Sequence, residues 1–208
     1  MSFSVYGQAK QDTVRQKIKL TAVRIGVDLV QPIKTFSTDD FSGWEATVDA
    51  EFRNYYPVVE LGQWKRDIVL SNGRYTNSGN YWRVGVDINL LKKDKAKNMF
   101  FFGLRYGRSA YREDLTYKIS TDEFGNTINY LKNDDMKSGW AEMTTGLRVR
   151  VLKNFWMGYT GRLKFAVNVA EDQRLQSYDV PGYGLTFKKP WWGFNYYLLF
   201  NFGAGQNK

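Results

Sequence analysis

The chain holds neither histidine nor cysteine, so the residues whose spacing could do chemistry are its carboxylates, arginines and lysines. Imidazole general bases, Ser–His–Asp and Cys–His nucleophiles, thiolate metal sites and disulfides are all excluded. Two adjacent acid pairs, Asp39-Asp40 and Asp134-Asp135, have the residue types for acid–base work or Ca²⁺ ligation. Both lie in polar connecting stretches, where carboxylates are ordinarily solvated, and they are read that way. No catalytic residue, cofactor or metal ligand is assigned.

The more informative spacing is Arg-x-Gly-x-Asp, which occurs as Arg24-Ile25-Gly26-Val27-Asp28 and again as Arg83-Val84-Gly85-Val86-Asp87. In extended chain, successive side chains point to opposite faces, so Arg, Gly and Asp share one face and the aliphatics the other. Elsewhere Glu45, Asp49, Glu51, Glu60 and Glu142 alternate with apolar residues in the same way, as do Arg105, Arg148, Arg162 and Lys164. Glycine leaves room on this face for long charged side chains, and opposite charges crowded together must pair if they are buried. The expected ion-pair set is Arg24, Asp28, Arg83, Asp87, Glu45, Asp49, Arg105 and Arg148, with each Arg-x-Gly-x-Asp pair matched across the interior.

These residues need strands to carry them. Alternation predicts eight, at Leu20–Val30, Trp44–Asn54, Pro57–Arg66, Tyr81–Leu91, Met99–Arg108, Trp140–Val151, Trp156–Ala170 and Trp191–Phe202. Connections after the even strands are short and those after the odd strands long. The longest, Ser109 to Gly139, is expected to hold a hairpin of its own around Phe124-Gly125. Trp44, Trp82, Trp140 and Trp192 stand at strand starts, as an aromatic belt would. The fold class predicted is all-β: an eight-stranded antiparallel up-and-down transmembrane β-barrel with long extracellular loops. A soluble barrel would have to fit the bulky face inside, including Trp44, Phe100, Phe102, Phe165 and Phe194, and an eight-stranded interior has no such volume. On strand three, Gln63 and Lys65 fall on the apolar face, so they sit at the outer rim or touch protein.

Residues 17–208 are expected to form one barrel domain, and residues 1–16 a signal-peptide remnant or flexible N-terminus. The net charge of +9 is spread over strands and turns, which argues against nucleic acid. Tyr196, Phe200 and Phe202 near the C-terminus are similar to the aromatic signal by which outer-membrane barrels are recognised for assembly. The basic residues Lys34, Arg66, Arg74, Arg108, Arg112, Lys132, Lys137, Arg174, Lys188 and Lys189 fall in the long loops and suit lipopolysaccharide phosphates.

Arg24-Ile25-Gly26-Val27-Asp28-Leu29, Phe41-Ser42-Gly43-Trp44-Glu45 and Tyr81-Trp82-Arg83-Val84-Gly85-Val86-Asp87 resemble a family of Bacteroidota outer-membrane proteins, DUF6048. The resemblance covers most of the chain and brings no catalytic residues with it. It implies a small barrel serving as an accessory subunit of larger outer-membrane machines, such as barrel-assembly or secretion complexes. The expectation is a non-enzymatic barrel in the bacterial outer membrane, in contact with lipid and docking with protein partners. The alternatives are a surface binder of lipopolysaccharide or glycan, or a narrow pore.

Overall fold

The computed structural model describes residues 20–91, 94, 98–121, 125–168, 177–186 and 190–203. Ten strands and one helix follow in chain order: β1 Ala22–Asp28, α1 Val30–Ser37, β2 Phe41–Glu51, β3 Tyr55–Leu70, β4 Gly73–Asn89, β5 Met99–Thr121, β6 Gly125–Arg150, β7 Phe155–Asn168, β8 Asp179–Val180, β9 Gly184–Leu185 and β10 Trp191–Gly203. Eight of them close into an antiparallel barrel in the order β1-β10-β7-β6-β5-β4-β3-β2. Closure falls between the first and last barrel strands, with Val23 opposite Phe202 and Ile25 opposite Phe200. The expected N-terminal segment lies outside the described residues.

Burial follows the two-residue period. Along β3, Tyr56, Val58, Glu60 and Gly62 are buried while Tyr55, Pro57, Val59, Leu61 and Gln63 are exposed. The outer surface carries the aliphatics and most of the aromatics, including Ile25, Val48, Val84, Val86, Phe102, Leu104, Leu147 and Phe194. The inner surface is layered. Tyr81, Tyr111, Met136, Trp140, Val180 and Tyr183 fill the upper end. Tyr56, Met99 and Phe101, with Trp156, Tyr197 and Leu199, fill the lower end. Charged side chains occupy the layer between.

Strands β3 to β6 are longer than alternation predicted. The predicted loops Asp67–Asn80 and Ser109–Gly139 are largely strand, and the expected separate hairpin is the continuation of β5 and β6. Their sequences are too polar to show an apolar period. Once the barrel fixes the register, however, the same ladder zips onward, pairing Ile68 with Tyr75, Tyr75 with Leu115 and Leu115 with Leu131. The only interruption on β5–β6 is a register shift between Tyr111 and Glu113, beside Asp135 at φ 58°.

Helix α1 was expected to be loop. Pro32 sits in its first turn, where a missing N–H costs nothing. The Asp28 carboxylate accepts the Gln31 N–H at 2.9 Å and the Tyr196 N–H at 3.0 Å, fixing the helix entry to the barrel rim.

The aromatic belt needs one correction. Trp44, Trp82 and Trp192 are exposed on the outer face, but Trp140 is fully buried inside. It shares the inward period of Glu142 and Thr144, and its indole N–H donates to Glu142 at 2.7 Å. Gly107 on β5 makes the room: a Cβ there would run into the Trp140 indole. Gln63 lies at the rim beside Trp44, accepting its indole N–H at 3.3 Å, with Lys65 exposed above it.

Gly107→Ala should therefore cost about 1–3 kcal/mol through overpacking against Trp140. Gly203→Ala, where a Cβ meets nothing within 4 Å, should be silent. The temperature at which the compact band is lost on unheated gels separates the two. Equal behaviour would mean Trp140 does not pack on Gly107.

Candidate functional site

The barrel interior holds one charge network. Arg83 on β4 pairs with Glu45 on β2, with Glu60 on β3 at 2.8 Å and with Glu142 on β6 at 3.4 Å. Arg162 on β7 pairs with Glu60 and Glu142, both at 2.8 Å. Arg105 on β5 pairs with Glu60, and with Asp87 at 2.9 Å. Arg148 on β6 reaches Asp49 at 2.5 Å and Asp87 at 3.1 Å, and Arg24 on β1 reaches Asp49 at 2.7 Å. β10 joins through Tyr197, whose hydroxyl accepts from Arg162 at 2.7 Å and donates to Glu45. Five arginines thus meet five carboxylates, all of them buried, and every barrel strand contributes.

Aromatic rings cap this layer. The Arg24 guanidinium lies 4.8 Å over Tyr56 and 5.2 Å over Trp156 at the lower end, and Arg148 lies 5.1 Å over Phe101. At the upper end Arg83 lies 5.0 Å over Tyr81. Rings placed this way screen the ions from water while attracting the cations.

The eight residues of the expected ion-pair set all face the interior, but the expected pairing is wrong. Arg24 does not meet Asp28, nor Arg83 Asp87. A strand rises about 3.3 Å per residue, so positions four apart are separated by about 13 Å. Partners come from other strands. Asp28 joins no ion pair among the described residues; its carboxylate accepts the N–H of Gln31 in the first turn of α1 and that of Tyr196 within β10 instead. Glu60, Glu142 and Arg162 are hubs that face assignment alone could not rank. Tyr197, Tyr81, Gln31 and Asn195 were missed, although Asn195 and Tyr197 share the inward period of β10.

A strap, residues 177–186, closes the upper mouth. Its Ser177 hydroxyl donates to Glu113 at 2.7 Å, and Asp179 pairs with Arg66 at 2.8 Å. Lys164 donates to the carbonyls of Gly182 and Tyr183 at 2.7 and 3.0 Å. Gly182, at φ 82°, lies against the Tyr81 ring, which a Cβ would strike. Beneath the strap is a cavity of about 300 Å³ lined by Gln31, Trp64, Tyr81, Lys164, Trp191 and Asn195, among others. Gln31 donates there to the Tyr81 hydroxyl at 2.5 Å and to Glu45 at 3.1 Å.

Of the four candidate acids of the connecting stretches, two form ion pairs. Asp40 pairs with Arg66 at 3.1 Å and Asp134 with Lys132 at 3.0 Å. Among the described residues no group of three or more acids could hold a metal ion. Of the expected basic rim, Lys34 lies 4.1 Å over Phe41 and Arg74 pairs with Asp67 at 2.6 Å. Arg174, Lys188 and Lys189 lie outside the described residues. Tyr196, Phe200 and Phe202 face outward on β10, with the Phe200 ring 5.1 Å from Phe155 and 4.7 Å from Phe202.

A family model described as a domain of unknown function (DUF6048) matches residues 2–202. No curated protein matches the chain.

Two outcomes follow from the interior. Arg83→Leu leaves Glu45 without a close guanidinium and removes one partner each from Glu60 and Glu142, and should cost about 3–5 kcal/mol. Val84→Leu, on the outer face, should change stability by less than about 0.5 kcal/mol. Urea unfolding in detergent or vesicles measures both, and equal tolerance would reverse the face assignment.

The second concerns pH. Burial pushes the carboxyls of Asp179 and Glu113 above their usual range. Arg66, Lys34 and Lys164 pull Asp179 back, as do Ser177, Tyr75 and Asn77 for Glu113. An acid raised in the docked state binds its proton more readily there than when free. Docking of the strap is then best supported below about pH 4 and weakens as pH rises through the raised values. The N–H groups of Tyr183 and Thr186 donate to Val180 and Tyr178 within the strap, each at 3.0 Å. Their hydrogen-exchange protection factors should fall between about pH 4 and 7; a rise would contradict the assignment.

Proposed function

The chain belongs to the DUF6048 family, and from that premise and the inverted polarity of its barrel we propose an integral outer-membrane protein that acts as a docking or accessory subunit of a larger membrane complex. Apolar side chains cover the outside of the ring while charges fill the inside, the polarity a bilayer requires of a barrel. The exposed Trp44, Trp82 and Trp192 mark its upper interface.

One observation carries the docking role. A tilted spanning strand needs about 9–11 residues, yet β3, β4, β5 and β6 have 16, 17, 23 and 26. The surplus forms a four-stranded sheet standing above the belt on one side. At a rise of about 3.4 Å per residue, the dozen or so extra residues of β5 reach roughly 40 Å beyond the wall. The tip exposes Val69 (80%), Tyr130 (75%), Ile128, Ile119 and Leu70. Apolar side chains held out on a rigid sheet suit a protein partner, because they lose little freedom on binding. The packed interior and the strap argue against conduction.

Replacing Val69 and Tyr130 together by Asp should leave outer-membrane fractionation intact and abolish co-purification of partners in mild detergent. Recovery of the wild-type chain from the soluble fraction would sink the membrane reading. Unchanged co-purification would move the contact from the tip to the barrel wall. For orientation, a cysteine at Gly125 should react with an impermeant reagent on intact cells and one at Asn154 should not; the opposite result would invert the barrel.

A further inference from the structure

The cations inside the barrel are balanced, whereas one sector of the outer wall carries cations that are not. Cross-strand rows above the apolar band place the residues. The first row runs Leu61, Trp82, Arg108, Gly139 across β3 to β6. The next runs Trp44, Gln63, Asn80, Ala110, Lys137, and the third runs Ser42, Lys65, Ser78, Arg112. Arg108, Lys137, Lys65 and Arg112 are all exposed and outward. None makes an ion pair among the described residues. On the opposite sector, the outward faces of β7, β10, β1 and β2 carry no base among the described residues; Phe165, Val167, Trp192 and Phe194 are exposed there.

The basic sector is also concave. A groove of about 680 Å³ is lined by Trp44, Leu61, Trp82 and Ala110 together with Arg108 and Lys137. Gly139, opposite Arg108, contributes no side chain; the Tyr106 hydroxyl lies over it, and the Tyr106 ring sits 6.0 Å from Trp82. Arg108 shares its row with Leu61 and Trp82, and Lys137 shares its row with Trp44, so two unpaired cations stand at the level of the exposed indoles, with Lys65 and Arg112 one row beyond.

We propose that this groove binds a membrane lipid with a phosphorylated headgroup, a glycolipid of the lipid A class, its phosphates on Arg108 and Lys137 and its chains along Leu61 and Trp82. Charge complementarity picks this occupant over a protein one. Unpaired bases level with an aromatic belt lie at headgroup height, and a guanidinium with an ammonium one row on matches two phosphate oxygens and a point charge. Lys65 and Arg112, one row higher, extend the field to a second phosphate. The inference rests on the membrane reading, and it predicts that the barrel has one preferred flank toward such lipids.

The test uses the full chain reconstituted in phosphatidylcholine vesicles, or in detergent for native mass spectrometry, with bisphosphorylated and phosphate-free lipid A as probes. The wild type should retain the bisphosphorylated form selectively. Arg108→Gln with Lys137→Gln should weaken its retention roughly thirtyfold, since each base near a charged lipid surface contributes about a factor of five. Lys132→Gln, at a base paired with Asp134 near the sheet tip, should leave it unchanged. Equal retention by the double variant, or equal wild-type affinity for the phosphate-free lipid, would overturn the site. If the chain inserts into phosphatidylcholine vesicles as a compact barrel yet retains neither probe, the lipid site fails and the barrel reading stands. If it does not insert, both fail.

Discussion

Five arginines and five carboxylates share the middle layer of the barrel, and the rest of the structure is arranged around keeping them neutral and dry. Removing an ion from water costs several kcal/mol, which a partner recovers only with good geometry on both sides. Here each carboxylate meets at least one guanidinium, and Glu60 meets three, from Arg83, Arg105 and Arg162. The pairs join different strands, some neighbouring and some across the barrel, instead of running along one strand, so they act as ties between staves. A slip of one residue in any strand would turn its charged side chain to the outer face and strand its partners. The network's main contribution is therefore to register, more than to net stability.

The neighbouring layers follow from that constraint. A charged layer can be dry only if something apolar stops both ends, and the rings of Tyr56, Phe101 and Trp156 below and Tyr81 and Trp140 above do so. Each large ring needs space, which Gly107 supplies for Trp140. The strap adds a second seal. It is held by polar contacts to inward side chains of the extended sheet, Glu113, Arg66 and Asn77 among them. The extension of β3 to β6 and the closed mouth are thus one device, since the sheet supplies the anchors for its own lid.

With the interior committed to packing, surfaces remain for function. They are unevenly distributed: the tall sheet, its exposed apolar tip and the unpaired bases beside and beyond the exposed indoles all belong to β3–β6. The opposite half of the ring ends near the belt. A barrel whose features are concentrated on one side presents a defined face to its surroundings, which is what the proposed docking role relies on.

The period of two in the sequence was enough to specify the strand number, the two faces and the membership of the interior. Arg24, Glu45, Asp49, Arg83, Asp87, Arg105 and Arg148 could only share one side, because alternation is a local property of extended backbone. Their partners could not be read, because pairing depends on which strands lie across a closed ring, and Arg-x-Gly-x-Asp wrongly suggested partners along one strand. Trp140 shows the same limit: its position before a strand looked like a belt, while its parity with Glu142 put it inside. Helix α1 and the upper halves of β4 to β6 carry no apolar period, so only the tertiary structure decided them. Asp28 ties the helix entry to β10, and the long strands extend a ladder already in register, so each added pair needs no new loop closure.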